Sequence, residues 1–400
     1  MVPAPGFGPI GLVVIQPTPF CNLDCDYCYL PDRSDRSRLS LDLVDPILRA
    51  VLTSPFVGTD LTILWHAGEP LAMPVSFYDE ATRLLRRAEG RYKRDPIAIG
   101  QSIQTNATLI DQAWCDCFLR NGIQVGVSLD GPAFLHDAHR RTRTGLGTHA
   151  ATMRGIAHLR RNNIPFHVIA VLTRESLDHA DAIVGFFLEN GITEVGFNME
   201  ETEGINRASS LEGGGCEQHY RTFLERVWEL TAQSQGALRL REFETTCALA
   251  CTDSRLERTD MNRHFVILNV DHRGNFSTFD PELLAVRTDE YGDFVLGNIL
   301  IDSLESVCAT EKFQRIHSDM QAGIERCRSS CDYFGLCGGG AGSNKYWEHG
   351  TFDCAETQAC RYRIKIVADV VLAGLEAELG LGPDLPSAIS QPAVAHHRLG

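Results

Sequence analysis

A chain of 400 residues is longer than one hydrophobic core commonly serves, so two or three domains are expected, and 44% apolar with 22% charged residues is not the composition of a disordered chain. The formal charge of -15 argues against a nucleic-acid partner, which would need Lys and Arg against its phosphates, and no stretch reaches the roughly 18 to 20 apolar residues that cross a membrane. Residues 1–20 have no basic start and no small-residue cleavage pattern, so no export signal is read, and the fourteen cysteines are expected in a reducing cytoplasm, as metal ligands or core residues before disulfides.

Short apolar runs rich in β-branched residues recur as GLVVIQ from 11, LTILWH from 61, IAIGQSIQ from 97, IQVGVSL from 123, PFHVIAVL from 165 and ITEVGFN from 192. A helical pattern follows each, which gives six β/α units. Strands fed by crossover helices form parallel sheets, and these units suit a partial or complete β/α barrel over residues 10–235. In such barrels chemistry collects at the C-terminal strand ends. There the chain places Cys21, Cys25 and Cys28, then WHAGEP (65–70), QTNAT (104–108), SLDGP (128–132) and NMEETEG (198–204).

After residue 240 the alternation stops. FVILNVDHRGNFSTF (265–279) reads as a hairpin around a Gly turn, a helix is expected near 303–318, and a cysteine-rich stretch runs from Cys327 to Cys360. Residues 240–365 are expected to form a second, metal-supported domain, and the Pro-rich tail 381–400 a flexible end.

The loop after the first strand, FCNLDCDYCYL (20–30), spaces its thiols C-x3-C-x2-C and has no fourth. Three thiolates can hold three irons of a [4Fe-4S] cubane and leave the fourth iron open to a ligand that is not protein. A zinc knuckle completed from afar and buried unliganded thiols are the alternatives. With Tyr27 before the last cysteine and this strand position, the sequence resembles the radical S-adenosylmethionine (SAM) enzymes. The resemblance implies a partial (β/α)6 barrel, SAM chelated by the open iron, and cleavage of SAM to a 5'-deoxyadenosyl radical that abstracts a substrate hydrogen. Ala67-Gly68-Glu69-Pro70 resembles the superfamily's GGEP motif for the methionine ammonium, with Ala at the first Gly. Asn106 and Ser128 match SAM-contacting positions, and Arg140 is the candidate for the SAM carboxylate, with Arg141, Arg143 or a solvated basic patch as alternatives. Asp130 is the candidate catalytic residue; capping of the Gly131-Pro132 turn or SAM positioning competes with proton abstraction.

The late spacing C327-x3-C331-x5-C337-x16-C354-x5-C360 around Cys337-Gly338-Gly339-Gly340 resembles the SPASM domain, an auxiliary-cluster module of peptide-modifying radical SAM enzymes. Ala341 stands where that module closes its glycines with a cysteine, and STFD (277–280) lacks the usual thiol after the hairpin. Both missing thiols would serve the first of two auxiliary clusters. The resemblance therefore implies one auxiliary [4Fe-4S] cluster on Cys327, Cys331, Cys337 and Cys360, with Cys354 as the alternative fourth ligand and zinc as the alternative metal. Cys247 and Cys251 read as packing, Cys115 and Cys117 as residues of different helix faces, Cys216 and Cys308 carry no signal, and His66 reads as a rim or core histidine.

QPTPFCNLDCDYCYLPDR (16–33), WHAGEPL (65–71), FNMEETEG (197–204), DPELL (280–284) and NKYWEHG (344–350) look like the SPASM maturases of ribosomally made peptides that forge cyclophane cross-links in glycine-rich or repetitive precursors. That implies a precursor-peptide substrate, an aromatic-to-β-carbon bond, and an electron donor such as flavodoxin or ferredoxin. The alternatives are sulfatase-maturase-like oxidation of Cys or Ser to formylglycine and, from another class, a zinc-stapled peptide-binding scaffold. The first strand starts near residue 10, so precursor recognition is expected at the barrel mouth, in the second domain or on a separate protein.

Overall fold

In the computed structural model, which describes residues 6–92, 97–252, 254–278, 281–284 and 286–381, the six expected strands form in order. They are β1 (Ile10–Ile15), β2 (Val57–Trp65), β3 (Ala98–Thr105), β4 (Ile123–Ser128), β5 (Phe166–Leu172) and β6 (Glu194–Met199). Between them lie α1 (Val44–Leu52), α2 (Val75–Tyr92), α3 (Gln112–Asn121), α4 (Ala133–His139), α5 (His149–Arg161) and α6 (Ala180–Glu189). The strands lie side by side in chain order, each parallel to the next.

Local chemistry explains the crossovers. In α3 the Asp111 carboxylate caps the Trp114 amide at 3.0 Å, and Gly122 closes the helix at φ 66. Along β5, Val168, Ala170 and Leu172 are fully buried and alternate with less buried His167, Ile169 and Val171. One face of the sheet therefore packs on the helices while the other presents polar residues, among them Gln104 on β3, Ser128 on β4 and Asn198 on β6.

The chain continues through α7 (Cys216–Gln233), β7 (Arg239–Leu240) and α8 (Arg241–Ala250), and β7 pairs parallel to β6. The expected hairpin forms as β8 (Ile267–Val270) and β9 (Asn275–Ser277), but it is not detached from the first six strands. β8 lies parallel to β1, from Leu12 opposite Ile267 to Ile15 opposite Val270. The sheet therefore runs from a short edge strand through β9, β8 and β1 to β7 without closing into a ring. Capping the β1 edge with a hairpin deals with its unpaired backbone groups, as ring closure otherwise would.

Beyond β10 (Arg287–Thr288), β11 (Gly292–Asp293) and β12 (Gly297–Asn298), the helix expected near 303–318 begins later, as α9 (Glu311–Ser330). Thr310 caps it by accepting from the Phe313 amide at 3.3 Å, and its buried stripe runs Phe313, Ile316, Met320, Gly323, Ile324 and Cys327. The periodicity thus carries Cys327 onto the core face. Four helices follow: α10 (Phe334–Cys337), α11 (Gly342–His349), α12 (Gln358–Cys360) and α13 (Val367–Glu378). Residues 382–400 of the expected tail, and Phe279 and Asp280 of the STFD and DPELL strings, lie outside the described residues. Among the described residues no helix is long and apolar enough to cross a membrane.

Candidate functional site

The loop after β1 crosses the C-terminal ends of the strands and is tied down through its backbone. Arg143 donates twice to the Cys21 carbonyl, at 3.1 and 2.9 Å, Arg33 donates to the Cys25 carbonyl at 2.9 Å, and the Asp24 amide donates to the Arg141 carbonyl at 2.7 Å. These bonds fix the loop backbone over the strand ends and use none of the three thiols. Desolvation pushes the Cys21 thiol up to about 12 and the Cys25 thiol up to about 11, so both are protonated until a metal supplies positive charge.

The AGEP turn sits directly beneath this loop. A Cβ on Gly68 would come within 2.3 Å of the Thr18 carbonyl oxygen and 2.6 Å of that of Phe20, so glycine is required there by close approach. Ala67 has φ 71, so the departure from glycine keeps the left-handed backbone that glycine adopts easily. The buried Glu69 carboxylate accepts from the Thr105 hydroxyl at 2.7 Å and from the Asn106 and Leu71 amides, both at 2.9 Å. Burial raises its pKa against these bonds. It clamps the end of β2 to the end of β3. Asn106 extends the clamp, donating to Asn22 of the cysteine loop at 2.9 Å. Ser128 accepts from Gln104 at 3.0 Å, and His66 is held neutral by burial, which brings it down to about 4.

Asp130 is not an exposed base. Arg140 grips it with both ends of the fork at 2.8 and 3.0 Å, the Tyr27 hydroxyl donates at 2.5 Å, and the Val171 amide donates at 2.9 Å. Both partners of the ion pair are buried. Burial alone would raise the carboxyl, but the Arg140 charge and hydrogen bonds hold it below the usual carboxylate range. The arrangement suits positioning of Tyr27 and its loop and leaves little capacity for proton abstraction or for Arg140 to meet a second carboxylate. Arg141 donates to the Asp137 carbonyl at 3.0 Å, so each of the three neighbouring arginines has a protein partner. His136 had no sequence signal: fully buried, it accepts from the Asp130 amide at 3.3 Å and meets the Thr148 hydroxyl at 3.1 Å.

In the second region Cys327, Cys331, Cys337 and Cys360 line one cavity of about 60 Å³. They come from the last turn of α9, its C-terminal cap, the end of α10 and the end of α12. Cys354 is not among the lining residues; its thiol donates to the Thr351 carbonyl at 3.7 Å. Gly338, Gly339 and Gly340 all have positive φ and fold around Asn262, which donates to the Gly338 and Gly340 carbonyls at 2.9 Å each. Ala341 lines the same cavity. Zinc and an iron-sulfur cluster both take thiolate ligands. Four thiols facing a shared space fit a thiolate-held group. Cys115, Cys117 and Cys216 are buried in the core, Cys308 is half-buried against it, and none joins either site.

The profile of the Radical SAM superfamily matches residues 15–187. An uncharacterised Synechocystis protein, sll1766, is 58% identical over 94% of both chains. A serine-type anaerobic sulfatase-maturating enzyme of Klebsiella aerogenes is 35% identical over 46% of this chain and 45% of its own. Among solved structures, native anSMEcpe with bound AdoMet and Cp18Cys peptide superposes with a TM-score of 0.73 at 19% identity, covering 94% of this chain and 100% of that one. Streptococcus suis SuiB bound to its precursor peptide SuiA gives 0.60 at 18% identity, covering 88% and 76%. The chain belongs to the radical SAM superfamily and has its α/β fold.

Proposed function

We propose that this radical SAM enzyme modifies a ribosomally made precursor peptide, joining an aromatic ring carbon to the β-carbon of a residue two positions on as a cyclophane. When bound, a [4Fe-4S] cluster at Cys21, Cys25 and Cys28 with its SAM supplies a 5'-deoxyadenosyl radical, and a cluster in the second cavity supplies a one-electron acceptor. The protein's own groups orient these parts. Tyr27, locked by Asp130 and Arg140, fixes the cysteine loop, and Glu69 and Asn106 fix the strand ends beneath it. A cleft of about 290 Å³ opens beside Ala67, between that loop and the β8–β9 turn with Asp271, His272 and Arg273. An extended peptide entering there meets the polar face of the sheet.

The observation that carries the reading is the four-thiol cavity among the described residues. Where further thiols would build another site, Ala341 lines that same cavity, and Ser277 and Thr278 are fully buried, Thr278 bonded to His264 at 2.8 Å. Ring closure releases one hydrogen atom to the radical, then one proton and one electron, so one acceptor suffices. A flavodoxin or ferredoxin is the proposed source of the starting electron. Oxidation of Cys or Ser to formylglycine is the second reading, favoured by the identity to the Klebsiella enzyme.

The test is anaerobic reaction with a short, aromatic-repeat peptide encoded beside the gene. A cyclophane product is two hydrogens lighter, shows an NMR correlation from a β-proton to an aromatic quaternary carbon, and passes deuterium from that β-carbon into 5'-deoxyadenosine. An aldehyde signal without the correlation would establish the formylglycine reading instead.

A further inference from the structure

Two ammonium groups line the four-thiol cavity, Lys345 and Lys365. They differ in partner. Lys365 is paired to the carboxylate of Glu356. Lys345, on α11, is only 4% exposed, and the group accepting its hydrogen bond is the Cys327 sulfur, at 3.4 Å. Asp353, the nearby carboxylate, is held by both ends of the Arg326 fork at 2.5 and 2.9 Å. A water-excluded ammonium favours negative charge beside it, and the Asp353 carboxylate, though held by Arg326, already feels the Lys345 charge. A thiolate-held anionic group at Cys327 would sit in direct contact with that ammonium. The start of α11 adds positive potential of the same sign, since its cap, Ala341, also lines the cavity.

The neighbour of Lys345 fixes its place. Asn344 donates to Glu203 at 3.0 Å, both buried, joining α11 to the loop after β6. That loop lies against the first cysteine loop, where the Ile205 amide donates to the Tyr29 carbonyl at 3.1 Å. The Lys345 stem is thus anchored to the body of the sheet beside the cavity.

We propose that Lys345 sets the reduction potential of the group held by Cys327, Cys331, Cys337 and Cys360, its water-excluded ammonium favouring the more negative, one-electron-reduced state. This rests on the auxiliary-cluster reading above. The balance is one electron in, no proton and no bond made or broken. The electron comes from the ring radical of the proposed reaction, so a raised potential makes rearomatisation downhill.

The test uses the full chain, reconstituted anaerobically, with Cys21, Cys25 and Cys28 replaced by Ala so that only the second site is seen. An EPR-monitored redox titration compares Lys345 with Lys345→Met, close in volume and uncharged, and Lys345→Arg, which keeps the charge. Lys345→Met should change the reduced-to-oxidised ratio at fixed potential at least tenfold, a shift of about 59 mV to lower potential for one electron. Lys345→Arg should recover most of it. An unchanged potential in Lys345→Met overturns the proposal. So does loss of iron in Lys345→Met, because Lys345 would then hold the site together rather than tune it. No iron in the parent with Lys345 intact sinks the cluster reading itself, a distinct result.

Discussion

The two cysteine sites are built in opposite ways. The first takes its three thiols from one eight-residue loop, tied by its own carbonyls to Arg33 and Arg143. The second gathers four thiols from three helices and a helix cap, around three glycines that all have positive φ. Ligand geometry in the first is a property of local spacing. In the second it is a property of how α9, α10 and α12 pack. A site of the first kind should survive damage elsewhere in the chain, and a site of the second kind should fail with its scaffold.

Replacing Cys21, Cys25 and Cys28 together by Ala gives the largest effect. Formation of 5'-deoxyadenosine should disappear while iron falls from about eight to about four per chain, from two cubanes to one. SAM cleavage at the parent rate would refute the assignment, and about twelve irons in the parent would mean a further cluster.

A single backbone change should open the second site alone. Gly338 has φ 61, and a Cβ there would stand 2.7 Å from the backbone of Arg258. Gly338→Ala is expected to lose the auxiliary iron, leaving about four irons and continued SAM cleavage without cross-linked product. If all eight irons remain, the second site is held as locally as the first and the contrast is wrong.

Asp130→Asn tests the brace within the first site. Removing one partner of a buried ion pair costs about 3 to 5 kcal/mol, because Arg140 is left buried and unpaired. Thermal unfolding should show the loss at neutral pH. The Asp130 pKa is lowered by folding, so its contribution is present above the unfolded carboxylate value and vanishes as pH falls through the folded one. Parent and variant should therefore converge only in acid. Unchanged unfolding with a slowed reaction would instead make Asp130 a catalytic group.

These contrasts mirror what could be read from the chain. The six strands and the first three thiols were legible because strand period and C-x3-C-x2-C spacing are local. The Tyr27–Asp130–Arg140 cluster was not legible as one unit, since Tyr27 lies in the loop after β1 while Asp130 and the α4 cap Arg140 follow β4, and the two segments meet only in the folded sheet. The parallel pairing of β8 with β1 was missed for the same reason: an apolar run announces a strand but not its partner. Helix α9 begins eight residues after the expected 303 because Thr310 supplies the cap, and spacing alone left Cys354 and Cys360 unresolved. In the fold the Thr357 hydroxyl accepts from the Cys360 amide at 3.0 Å and that capped turn lines the cavity, while Cys354 is not among its lining residues.

The smallest effect is expected where the sequence departs from its family at the centre of the first site. Ala67 occupies a left-handed backbone that costs a non-glycine residue about 1 to 2 kcal/mol, so glycine should relieve strain. Against this, glycine loosens the unfolded chain by about 0.4 to 1 kcal/mol, and removing a buried methyl forfeits about 0.8 kcal/mol more. The terms nearly cancel, which explains why Ala is tolerated at this turn. Ala67→Gly should change unfolding free energy by less than about 1 kcal/mol and leave SAM cleavage near the parent rate. Ala67→Val, β-branched at the same φ, should lose well over about 2 kcal/mol. If Ala67→Gly itself loses that much, the methyl group is needed at the site, and the loop over Ala67 is held by side-chain packing as well as by its backbone.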